Sequence, residues 1–309
     1  MKRRNAILTL GSISAASALP DVLQANISVK KKEIFTFCLN TSTISGQKPG
    51  ILTYIDIASK AGYDGIELWI NDIKDYLKNG HKLSELAKII SDAGLKVENA
   101  IGFAPWMVAN DEKRRLGMIQ LEEEMHWLAA LGGKRIAAPP AGVGRDEPID
   151  LLQAGLRYKD ALNLGRKTGV MPQLEFWGAS GTLFHISQAV AIAAAANDAD
   201  ARILPDVYHL FRGGSGFDSL KMIAGTTIEI FHFNDFVGHI PQEKQTDNDR
   251  VYPGDGIAPW SNLMQTLKEM GTPKVLSLEL FNKDYWKQDP LEVAKTGLMK
   301  MKKLVETYP

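Results

Sequence analysis

Four side chains able to bind a divalent cation, Glu175, Asp206, His232 and Glu279, recur along the second half of the chain at intervals of 31, 26 and 47 residues. Each falls in a short apolar run: "VMPQLEFW", "RILPDVYHL", "IEIFHFNDF" and "VLSLELF". Side chains along a strand alternate between its two faces. Glu175 therefore shares a face with Gln173, Asp206 with Leu204 and Tyr208, and His232 with Ile228, Ile230 and Asn234. In the last run Ser277 and Glu279 face one way, and Leu276, Leu278 and Leu280 the other. Three carboxylates and one imidazole suit a hard or borderline cation such as Mn²⁺, Mg²⁺, Co²⁺ or Zn²⁺. Without a cation, carboxylates gathered in one buried place repel one another and rise in pKa. A lone strand histidine is commonly structural; matched groups on four successive runs point to a site.

The elements that must gather these groups follow one pattern. An amphipathic helix ends at a glycine and a short apolar strand begins almost at once, as in "IASKAGYDGIELWI", "IISDAGLKVENAIGF" and "LKEMGTPKVLSLELF". Gly62, Gly94, Gly132, Gly169, Gly225 and Gly271 occupy the helix-ending position, where positive φ is favoured. Strands are expected near residues 33–39, 65–70, 96–102, 134–138, 170–176, 202–207, 227–233 and 274–280. They are rich in Val, Ile, Leu and Phe, as parallel strands covered on both faces should be. Eight such units predict a single (β/α)8 TIM barrel, in which reactive groups lie at the C-terminal ends of the strands. A doubly wound sheet would want a glycine-rich phosphate loop after its first strand, and "NTSTISGQKPG" lacks that spacing.

Composition narrows the partners. The chain of 309 residues carries 36 Lys+Arg and 36 Asp+Glu, so no overall basic charge is available to hold a nucleic-acid backbone. Cys38 is the only cysteine, which excludes an internal disulfide and zinc–thiolate clusters. The start, "MKRRNAILTLGSISAASALPDVLQA", has the cationic, apolar and small-residue layout of an export signal, with Arg3-Arg4 like the twin-arginine type. It is too short and too rich in Ser and Gly to span a bilayer. Residues 1–28 are therefore expected to be a removable or disordered export signal for the periplasm, and 29–309 the barrel domain.

The motifs "LEF", "PDVYH", "HFND" and "LEL", in this order and spacing, resemble those of the xylose isomerase-like barrel superfamily of sugar isomerases and epimerases. Within it the chain is most similar to ketose 3-epimerases, hydroxypyruvate isomerases and inosose dehydratases. The segment "NDRVYPGDGIAPW", Asn248 to Trp260, resembles the Arg…Pro-Gly-x-Gly…Trp stretch of the epimerases. The resemblance implies one metal ion, Mn²⁺ in first place, bound by Glu175, Asp206, His232 and Glu279. It also implies that Glu175 and Glu279 form the acid/base pair and that His209, Arg250 and Glu67 contact substrate oxygens. Asp235 takes the place of an acidic residue that orients a ligand, and relatives often form homo-oligomers. Trp106 and Trp177, just past strands three and five, are placed to stack on a sugar ring.

The chemistry that follows is proton transfer beside a carbonyl. A cation chelating a hydroxyl and its neighbouring carbonyl stabilises an enediolate, and a carboxylate on each face lets the proton leave one side and return on the other. The result is epimerisation, or isomerisation when the proton returns to the adjacent carbon. Where a leaving group lies β to the carbonyl, the same intermediate eliminates, so a lyase or dehydratase stays open. The expected substrate is a small sugar, inosose or keto-glycoside. An abasic-site endonuclease would need more histidines than the six here and a basic face, and a non-catalytic sugar-binding protein would have lost the ligand set.

Overall fold

The computed structural model describes residues 34–144 and 147–308; the expected export segment, residues 1–28, lies outside them. Eight parallel strands alternate with helices. They are β1 (Phe35–Asn40), β2 (Gly65–Trp69), β3 (Lys96–Ile101), β4 (Arg135–Ala138), β5 (Met171–Glu175), β6 (Ile203–Leu204), β7 (Ile230–Phe233) and β8 (Lys274–Leu278). Their positions agree with the sequence pattern, though most are shorter by one to several residues and β6 keeps only two. The helices are α1 (Ile51–Ala61), α2 (Ile70–Lys78), α3 (Leu83–Asp92), α4 (Asp111–Ala130), α5 (Leu151–Thr168), α6 (Ile186–Ala196), α7 (Val207–Arg212), α8 (Trp260–Glu269) and α9 (Pro290–Thr307). No described helix is long and apolar enough to cross a membrane.

Ladders join β3, β2, β1, β8 and β7 in that order, and β4, β5 and β6 in a second run. The two runs meet at both edges. Asp206, just past β6, bridges His232 of β7, and Arg135 of β4 donates to the Glu98 carbonyl of β3 at 3.0 Å. Arg135 also pairs with the Glu98 and Glu229 carboxylates, and Arg202 pairs with Glu229. These four side chains stitch the floor of the barrel where the ladders are interrupted.

Alternation divides the apolar residues into two layers. Leu39, Ile66, Leu174, Phe231, Leu276 and Leu278 point outward and pack on helices through residues such as Ile55, Ala58, Leu128 and Met301. Cys38, Ala137, Leu204, Ile230 and Val275 point inward and fill the lower lumen, and Ile101 of the same cluster, at the end of β3, reaches the mouth. Cys38 is a free, buried thiol in this inner layer. Five of the six helix-ending glycines have positive φ, from 65° to 89°. Gly225 differs: it opens a 3₁₀ turn before β7, and a side chain there would strike the Met270 carbonyl.

Candidate active site and metal centre

Above the apolar layer the lumen becomes polar. The change begins with Glu67 on β2, which is fully buried. Its Oε2 accepts from Asn40 Nδ2 at 2.8 Å and Ser277 Oγ at 2.5 Å, and its Oε1 accepts from Asn99 Nδ2 at 2.7 Å. The same Oε1 lies 3.1 Å from His232 Nε2. A carboxylate accepts only, so the shared proton belongs to Nε2, and the neutral imidazole that binds a cation carries its lone pair on Nδ1. Burial pushes the Glu67 carboxyl up, but His232 and the other donors outweigh that and hold it below its ordinary value.

This Nδ1 faces three carboxylates. Glu279 Oε2 is 3.2 Å away, Asp206 Oδ2 3.7 Å and Glu175 Oε1 3.9 Å. Neither Nδ1 nor Glu175 Oε2 has a hydrogen-bond partner, although both are buried. Asp206, His232 and Glu279 each offer a ligand atom within 4.8 Å of the others, and Glu175 stands slightly farther out. Burial, reinforced by Glu279, Asp206 and Glu67, pushes the Glu175 carboxyl up to about 8. Burial also raises Glu279, but His232 and Arg250 more than offset it and leave that carboxyl lowered. Unpaired buried acceptors, converging anions and an imidazole lone pair fit a divalent cation, which would relieve both the repulsion and the missing partners.

Asn234, one strand alternation beyond His232, fixes the frame around these groups. Its amide donates to Asp206 Oδ2 at 2.8 Å and to the Glu279 carbonyl at 3.2 Å, and its oxygen accepts from the Tyr208 amide. Arg250 closes the site from above. It is 1% exposed, stacked 4.7 Å from the Tyr208 ring and 5.1 Å from that of Phe281. Nη1 donates to Asp206 and Glu279 at 2.9 and 2.8 Å, while Nε and Nη2 grip Asp247 at 3.0 and 2.6 Å. Four of its five N–H groups are thus held by carboxylates, which outweigh burial and keep it firmly protonated. The fifth faces His209 Nε2 at 3.1 Å, while His209 Nδ1 lies 3.1 Å from the Gly178 amide. A neutral imidazole has one nitrogen lone pair to offer, so only one of these contacts is a hydrogen bond. Burial, then the Arg250 charge, lowers the His209 pKa despite Asp206 nearby.

A cavity of about 450 Å³ opens over this cluster. Glu175, Glu279, His209, Arg250 and Trp177 border it, as does Asp247, a residue the sequence did not single out. Asp206 and His232 lie behind, fully buried. Three expected residues stand elsewhere. Glu67 does not reach the cavity, because both its oxygens are engaged inside the barrel. Trp106 is 1% exposed, donating to the Pro139 carbonyl at 3.0 Å and packing on Tyr158 of α5, so its ring is core. Asp235 does not touch the four ligands by hydrogen bond. It accepts from the Gly254, Gly256 and Ala258 amides and from Trp260 Nε1. It thereby holds the loop whose start, Arg250–Val251, pairs antiparallel with Asp235–Phe236. Asp235 acts on Arg250 through that ribbon.

Residues 55–304 match the model of the family described as xylose isomerase-like TIM barrel. The chain belongs to the xylose isomerase-like TIM barrel family. It is 29% identical over 277 residues to an inosose isomerase of Bacillus velezensis, covering 88% of this chain and 97% of that one. Among solved structures, this family member is similar to a crystal structure of the IOLI protein with a binding zinc atom, with TM-score 0.80 and 26% identity. That match covers 89% of this chain and 99% of the other. The fold is shared with an L-ribulose 3-epimerase structure at TM-score 0.69 and 18% identity, covering 88% and 95% of the two chains.

Proposed function

We propose that the protein is a divalent-metal-dependent isomerase or epimerase acting on a hydroxy ketone, such as an inosose, ketose or keto-glycoside, through an enediolate. The observation that carries this reading is that Glu175 and Glu279 border the cavity while converging on the His232 nitrogen. Two carboxylates open to one substrate can remove a proton and return one. Asp206, His232, Glu279 and Glu175 would hold the cation, Mn²⁺ in first place. That cation supplies the positive charge that stabilises oxygen anions as they develop on the substrate. Glu67 keeps the His232 lone pair aimed upward, and Asn234 keeps Asp206 in register. Arg250 neutralises Asp206 and Glu279 and, beside His209, has one N–H not held by a carboxylate to turn to a substrate oxygen. The zinc named for one relative and the inosose isomerase name of another support this reading.

Elimination from a substrate with a β leaving group is the second reading, since it begins with the same proton removal. Export through the twin-arginine-like start of the chain is proposed with it, and favours an unphosphorylated substrate. The test is incubation of metal-loaded protein in D₂O with ketoses, inososes and 3-keto-glycosides, followed by NMR. Deuterium beside the carbonyl together with an epimer or isomer is the expected result, and an eliminated product selects the lyase. An absence of exchange across the panel, with bound metal confirmed, overturns the proposal.

A further inference from the structure

The cavity border is chemically divided. Four aromatic rings form a continuous arc along part of it: Phe281 just past β8, Trp69 at the end of β2, Phe103 just past β3 and Trp177 just past β5. The ring centres are 6.0 Å apart from Phe281 to Trp69, 5.5 Å from Trp69 to Phe103 and 6.2 Å from Phe103 to Trp177. Successive rings are tilted by 75°, 51° and 50°, so the arc is a cleft rather than one flat platform. The Trp69 indole N–H is already donated to Asn40 Oδ1, which leaves only its apolar surface toward the cavity. Phe103 is 37% exposed, although a ring of this size is ordinarily covered. The rest of the border includes the polar groups His209, Asp247 and Arg250, the last 5.1 Å from the Phe281 ring that ends the arc, together with Glu175 and Glu279.

We infer that the substrate is a sugar ketone bearing a planar aromatic substituent, as in an aryl glycoside oxidised at a ring hydroxyl; this rests on the reaction proposed above. The sugar half meets the polar groups and the carboxylates. The aromatic half lies in the cleft, where edge-to-face and offset contacts with several rings are available at once. One sugar ring has at most two small apolar faces of C–H groups and cannot cover an arc of four rings. A sugar phosphate is disfavoured by charge: among the described residues Arg250 is the only Lys or Arg bordering the cavity, and three carboxylates already hold it.

The experiment compares binding of phenyl and methyl β-glucosides, which lack the ketone and do not react, to the metal-loaded protein by calorimetry and tryptophan fluorescence. The phenyl compound should bind about tenfold tighter or more, with quenching of the indoles lining the arc. Phe103→Ala and Trp177→Ala should each reduce that preference at least severalfold, and Phe103→Leu, which keeps bulk without a ring, should fall between. Equal binding of the two glucosides, no binding of either, or a preference untouched by both alanine variants overturns the inference. Deuterium exchange into an unsubstituted inosose is read separately. Exchange without aryl preference overturns the aromatic subsite alone, and aryl preference without exchange anywhere in the panel overturns the reaction and leaves the subsite standing.

Discussion

The two ends of the barrel carry buried charge in opposite ways. At the floor, two arginines meet two glutamates: Glu229 accepts from Arg135 at 2.8 Å and from Arg202 at 3.0 Å, and Glu98 accepts from Arg135 at 3.0 Å. At the mouth, Glu67, Glu175, Asp206, Glu279 and Asp247 surround one arginine and two histidines, His209 and His232, with a carboxylate oxygen and an imidazole nitrogen lacking partners. Balanced charge at the floor closes gaps between strand ladders. Surplus negative charge at the mouth is stable only with protons or a cation to offset it. The contrast separates a structural ion network from a site by charge matching, where burial alone would not.

The strongest test of that contrast is at the mouth. Glu175→Gln and Glu279→Gln should each lower substrate deuterium exchange by about 10²–10⁴-fold, the range of a lost acid or base. Both should keep the wild-type circular dichroism, because glutamine preserves the side chain's size and one hydrogen-bond-accepting oxygen. Unchanged exchange in either variant would break the two-carboxylate mechanism. Next in size, Glu67→Gln should weaken Mn²⁺ or Zn²⁺ affinity by roughly 10–100-fold in calorimetry, since it loosens the tautomer and aim of His232 without touching the cavity.

The smaller effects belong below the mouth. Glu229→Gln should cost about 1–2 kcal/mol in denaturant unfolding and leave metal affinity as it was. Burial pushes the Glu229 carboxyl up, but Arg135 and Arg202 outweigh burial and hold it below its ordinary value. A carboxyl lowered in the folded state contributes stability that is complete above its unfolded pKa and is lost as pH falls through the folded one. The gap between wild type and variant should therefore be widest at neutral pH and shrink below about pH 4. A gap that widened on acidification would contradict the pairing. Smallest of all, Trp106→Phe should cost about 1 kcal/mol through the lost bond to Pro139. Its exchange kinetics should match wild type, and a substantial rise in KM would return Trp106 to the substrate.

How far the sequence could be read differs between strands and loops. The period-two alternation that set Glu175, Asp206, His232 and Glu279 inward needs only the pleat of a strand, and the helix-ending glycines needed only their own backbone. The eight-unit barrel, the identity of the four converging groups and the family resemblance were therefore legible from the chain itself. Asn234 and Ser277 lay on the same inward faces as His232 and Glu279, so the signal for their role was present, although it did not say what they would touch. Which residues are neighbours across the lumen is decided by strand register and barrel closure. Closure turned Glu67 onto the back of His232, joined by Asn40 and Asn99, where the resemblance had suggested a substrate contact. Loops follow no period, so the tertiary structure alone sent Trp106 into the core, set Asp235 to holding the Arg250 ribbon, brought Asp247 onto the guanidinium and lined up Phe281, Trp69, Phe103 and Trp177. Local patterns determine which way a side chain leaves its own element; only packing among distant elements determines what it meets.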